Sequence, residues 1–109
     1  VTVLRLWSDF CLDPFYIDDG DGSFDLTDSQ EVAERFTIPD DVMREVKAWD
    51  ELYQDIYNGF APWNSEWASP RDRQHYVDRG REVARLLRRH LPADVEIEYL
   101  ADHSVREYY

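Results

Sequence analysis

A chain of 109 residues has room for one hydrophobic core and little beyond it, and 43% hydrophobic with 15% aromatic residues is enough apolar material to exclude a wholly disordered chain. A single cysteine, Cys11, excludes an internal disulfide and fits a reducing compartment. The net charge of −12, from 24 acids and 12 bases, weighs against direct binding to nucleic acid or to an anionic membrane, because both need Lys and Arg to displace their counterions.

Thr2 to Trp7 is short and rich in β-branched and large apolar residues, which predicts a strand, and apolar side chains on both parities suit a central one. After the turn-prone Asp9 to Asp13, Pro14 to Ile17 reads as a second strand returning beside the first. Asp18 to Asp28, DDGDGSFDLTD, joins turn residues to dense negative charge, so residues 18–28 are expected to be a mobile acidic loop without regular structure. Ser29 to Phe36 fits a short helix, with Val32, Ala33 and Phe36 facing inward.

A longer helix is predicted from Pro39, with Thr37 as its cap and Asp40 and Asp41 at the positive end of the dipole. Val42, Val46, Trp49, Tyr53 and Ile56 recur at helical spacing and define a buried face, and Asn58-Gly59 is expected to end it. The connection from Phe60 to Ala68 holds three large aromatics, more than a solvated loop requires. Ser69-Pro70 then caps a second long helix reaching about His90, with Tyr76, Val77, Gly80, Val83, Ala84, Leu87 and Leu91 inward and Gly80 allowing close approach to the preceding helix. Its seven arginines are interrupted by Asp72, Asp78 and Glu82, which favours an exposed, partly paired face over a nucleic-acid patch.

Val95 to Tyr99 alternates strictly, placing Val95, Ile97 and Tyr99 on a core face and both glutamates outward. The elements together predict a single acidic α+β domain over residues 1–109, a small sheet of about three strands covered on one face by an antiparallel helix pair. No apolar run approaches the roughly 20 residues that span a bilayer, and the N-terminus has no basic region followed by an apolar stretch, so a cytoplasmic location is expected.

The motifs of chemistry are missing. Aligning Gly22 with the invariant glycine of a calcium loop puts Ile17 at the first ligand position and Asp28 where a bidentate Glu belongs, so the DDGDG cluster fails that register. Cys11 has no nucleophile signature with His75, His90 or His103 and reads as a buried structural thiol. No ligand spacing suits zinc, and there is no phosphate loop or nucleophile elbow. Catalytic residues, metal ligands and cofactors are therefore not expected.

The acidity is regional: residues 1–60 carry fifteen acids against four bases, and residues 61–109 nine against eight. Such a field speeds encounter with a basic protein. The spaced features LRLWSDF, DPFYIDDGDG, the two-helix segment and DVEIEYL resemble small acidic actinobacterial proteins and the bacterial immunity proteins that protect a cell from a polymorphic or contact-dependent toxin. The resemblance implies an inhibitor that binds a cognate basic toxin domain and occludes its active or substrate-binding cleft.

For that role Asp18, Asp19, Asp21, Asp25 and Asp28 are the expected electrostatic contacts, with Trp63 and Trp67 as packing contacts. The alternatives are a solvated loop for the aspartates and, for the tryptophans, a lid over the domain's own core. A second functional reading is a nucleic-acid mimic or regulatory module acting on a DNA-binding protein, and a third is a small metal-dependent enzyme.

Overall fold

The computed structural model describes residues 1–109. Three of its strands match the sequence expectation in place: β1 (Thr2–Leu6), β2 (Phe15–Asp18) and, late in the chain, Val95–Asp102. Two more were not anticipated, so the sheet has five strands rather than about three. Asp25–Thr27 forms β3 inside the segment expected to be irregular, and Val105–Tyr108 forms the last strand, β5, with Val95–Asp102 as β4.

The strand order is β3-β2-β1-β4-β5. The central pair, β1 and β4, runs parallel with Leu4 opposite Ile97 and Arg5 opposite Glu98, and every other neighbour is antiparallel. Between β3 and β4 lie α1 (Ser29–Phe36), α2 (Asp40–Gln54) and α3 (Pro70–Arg88).

Strand alternation sorts the side chains of this sheet onto two faces. Leu4, Leu6, Phe15, Ile17, Val95, Ile97, Tyr99 and Ala101 enter one core with Val42, Val46 and Trp49 of α2 and Tyr76, Val77, Val83, Ala84 and Leu87 of α3. The opposite face carries a row that crosses all five strands, Leu26-Tyr16-Arg5-Glu98-Tyr108, and no helix covers it.

Several local expectations need correction. Thr37 does not cap α2; it takes a left-handed conformation, φ 53°, at the end of α1, where its N–H and that of Ile38 close the helix. Helix α2 stops at Gln54, before Asn58-Gly59, and Asn58 instead accepts hydrogen bonds from the N–H groups of Phe60 and Ala61 at 3.1 Å each. Gly80 makes room for the Tyr99 ring of β4 rather than for α2. Glu98 does not face solvent: it is 5% exposed, held beneath Arg5 and Arg106 on the uncovered face. Cys11 is exposed, at φ 63°, and is not a buried thiol.

The arginines of α3 are distributed among partners, as their interruption by acids suggested. Arg79 pairs with Glu45 of α2, Arg81 with Glu107 of β5 at 2.8 Å and Arg73 with Asp102 of β4, while Arg88 donates to the Val95 carbonyl at 2.6 Å. No helix is long and apolar enough to cross a membrane.

Candidate partner-binding site

The first aspartates of the acidic segment and Trp67 lie at opposite ends of the sheet. Asp18 is opposite Val3 at the beginning of β1, and Asp19 accepts a hydrogen bond from the Thr2 hydroxyl at 3.1 Å. Trp67 instead borders a cleft at the other end, where β1 runs out at Trp7 and β4 at Asp102. Asp18 and Asp19 are therefore separated from Trp67, whereas β3 carries the segment back so that Asp28 follows Thr27, opposite Phe15, at the end where β1 runs out.

Within the loop each aspartate has a different local setting. Asp18 accepts from the N–H of Gly20 at 2.8 Å and of Gly22 at 3.1 Å; these bonds, the Gly20 one first, hold its carboxyl below the ordinary range. Both glycines have positive φ, 111° and 81°, which the turn requires. Asp19 is lowered chiefly by hydrogen bonding to Arg35, 2.6 Å away. Asp21 accepts from Ser23 N–H at 3.0 Å, and Asp28 caps α1 through Glu31 N–H at 2.8 Å. Asp25, exposed on β3, has no side-chain hydrogen bond or ion pair. Four of the five thus order the loop, while only Asp19 is neutralised by an arginine.

The tryptophans also divide. Trp67 is half-buried, 5.0 Å from the Tyr76 ring and 6.2 Å from Tyr53, so it closes over the core as the lid alternative expected. Trp63 lies in a single 3₁₀ turn, Pro62–Asn64, and is 81% exposed; Phe60 beside it is 98% exposed. The hydrogen bonds from Phe60 and Ala61 to Asn58, and from Asn58 N–H to Ser65 Oγ at 2.9 Å, order the backbone that carries these rings into solvent.

Carboxylates missed in the sequence surround this aromatic end. Residues Trp7 to Pro14 form a loop fastened to α2: Ser8 Oγ donates to Asp50 at 2.8 Å, Gln54 Nε2 donates to the Asp9 carbonyl at 2.7 Å, and Cys11 N–H donates back to Gln54 at 3.0 Å. Phe10 stacks on Tyr53 at 4.5 Å and meets Tyr57 at 5.0 Å. Burial, then Asp9 and Asp50, push the Tyr53 phenol up, and burial raises the Asp50 carboxyl. Asp13, Lys47, Asp50 and Glu51 line a cleft of about 450 Å³ between the loop and α2. The signal in the sequence was the run WSDFCLD, aromatics alternating with acids just after a strand.

No curated protein matches the chain, and no group of three or more His, Cys, Asp or Glu side chains is arranged to hold a metal ion. The family described as Serratia CdiI immunity protein-like matches residues 2–102, from the first strand to the last residue of β4. The chain belongs to that family. The match runs through the Trp7–Pro14 loop, the aromatic connection and α3, so the exposed rings lie on a scaffold of the immunity class.

Proposed function

We propose that this protein neutralises a cognate toxin domain by docking over the toxin's active or substrate-binding cleft, acting in the cytoplasm of the cell it protects. The observation that carries the reading is the exposure of Phe60 and Trp63 on an ordered turn in a member of an immunity family. Desolvated aromatic anchors commonly dominate association energies, and two rings this exposed on a free protein have contact area to lose only to a partner.

Asp55 and Glu66 flank the connection in sequence, and Asp9, Asp13 and Glu51 lie around the neighbouring loop and α2. These carboxylates suit a basic toxin cleft, with Asp18, Asp19 and Asp21 adding long-range attraction rather than contact at the same place. The inhibitor works by occupancy.

The test is a search for a toxin domain encoded beside the gene, followed by co-expression of that domain with this protein and titration calorimetry of the purified pair. Wild-type protein is expected to protect cells and bind, while the Phe60→Ala/Trp63→Ala variant loses about 2–4 kcal/mol of binding energy and protects poorly. Full protection and unchanged affinity in that variant, with native circular dichroism, would remove the connection from the interface. Wild-type protein that neither binds nor protects would refute the reading itself.

A further inference from the structure

At the ends of β1 and β4 lies a cleft of about 800 Å³ lined by more guanidinium groups than carboxylates. Arg5, Arg73 and Arg106 border it beside Trp7 and Trp67. The carboxylates paired with these guanidinium groups are Glu98 and Asp102, so within this cluster three cations meet two anions, on a chain whose net charge is −12.

The arrangement of the pairs matters more than their number. Arg5 and Arg106 both turn Nε toward the same oxygen, Glu98 Oε1, at 3.2 and 3.4 Å. Their terminal nitrogens donate to no protein group, and none of them is sealed from solvent. Arg5 is fixed further by the Phe24 ring, 3.7 Å from its guanidinium carbon. Glu98 therefore holds two forks in place with their bidentate edges open, a preorganised receptor for a planar anion. Tyr76 borders the same cleft, 2% exposed, and its hydroxyl has no hydrogen-bond partner.

We infer that this cleft receives one acidic side chain of the toxin domain, a reading that rests on the proposed function. A single surplus positive charge matches one carboxylate better than a phosphate dianion. The aromatic walls lower the local dielectric, which strengthens a guanidinium–carboxylate contact. A cationic pocket beside an electronegative surface also fixes the register of docking: a toxin with a basic cleft but no acid at that point leaves the forks unpaired.

Two measurements test this, one independent of any toxin. N-acetyl-aspartate amide and, separately, inorganic phosphate are titrated into the protein to tens of millimolar while the Trp7 and Trp67 indole N–H signals are followed by NMR. The aspartate derivative is expected to move both signals saturably, and Arg106→Gln, on an exposed edge-strand position, to abolish the movement. In calorimetry with the toxin domain, Arg106→Gln is expected to weaken binding about tenfold or more, whereas Arg89→Gln, at the far end of α3, leaves it unchanged. Silence toward the carboxylate, or a response to phosphate alone, overturns the pocket assignment. Toxin affinity unchanged by Arg106→Gln overturns the toxin as its occupant while leaving the proposed function intact. If wild-type protein binds no toxin domain, the proposed function and this choice of occupant fail together, and the titration still decides whether the cleft takes a carboxylate.

Discussion

Tyr99 of β4 lies directly over Gly80 of α3, its ring filling the volume that any larger side chain at position 80 would claim. The Tyr99 hydroxyl donates to the Val77 carbonyl at 3.1 Å, so the ring ties the centre of the sheet to the middle of the helix. A glycine inside a helix lowers its stability by about 1 kcal/mol relative to alanine, and this contact offsets that cost.

Gly80→Ala is accordingly expected to destabilise the protein despite its better helix propensity. Overpacking of about 1–3 kcal/mol exceeds the propensity gain, and urea unfolding should show a lower midpoint. Adding Tyr99→Phe removes the nearest atom of the clash, so the double variant should lose less than the sum of the two single losses. Strict additivity would show that the two residues do not share this space.

Glu98 supports two arginines from a nearly closed position, with 7% of its side chain exposed. Glu98→Gln leaves Arg5, 19% exposed, without a counter-charge, and is expected to cost about 1–3 kcal/mol, less than for a fully buried pair because Arg106 is 56% exposed. Chemical denaturation measures it, and an unchanged midpoint would mean that the guanidinium groups are hydrated well enough to need no partner.

Asp50 gives a pH dependence with a definite sign. Burial raises its carboxyl pKa in the folded protein, opposed by hydrogen bonds from Ser8 and Gln54. The folded state therefore holds this proton more tightly than the unfolded chain does. Its contribution becomes less favourable as pH rises from the ordinary carboxylate range through the raised folded pKa. Asp50→Asn, which keeps an acceptor for Ser8 Oγ, is expected to raise the melting temperature at neutral pH and to remove that slope. A lower melting temperature at neutral pH would show that the charge itself is needed there.

Asp28 and Asp25 separate structure from steering within one loop. Asp28→Ala removes the cap of α1 and is expected to cost about 1 kcal/mol, readable by thermal unfolding. Asp25→Lys breaks no bond and should leave stability within about 0.5 kcal/mol. In stopped-flow association with the toxin domain it should slow the on-rate at low salt and lose that effect at high salt. A changed off-rate instead would place Asp25 in direct contact.

Much of the secondary structure was legible because local pattern is sufficient to specify it. Val42, Val46 and Trp49 recur on one face of α2, Ser69 accepts from Asp72 N–H at 3.2 Å as a cap should, and Val95, Ile97 and Tyr99 alternate into the core. The short edge strands were not legible. Asp25–Thr27 and Val105–Tyr108 hold too few apolar residues to carry a period of their own, and they are strands because β2 and β4 present them with backbone partners.

The α+β class, the two long helices and the excess of acid in the first sixty residues follow from residue type and spacing along the chain. Long-range packing set the rest: Glu98 is enclosed, Asp18 and Trp67 lie at different ends of the sheet, and three arginines meet at one cleft. Those outcomes depend on which strand lies beside which: the parallel pairing of β1 with β4 places Arg5 against Glu98, 93 positions apart, and local periodicity carries no information about that neighbour.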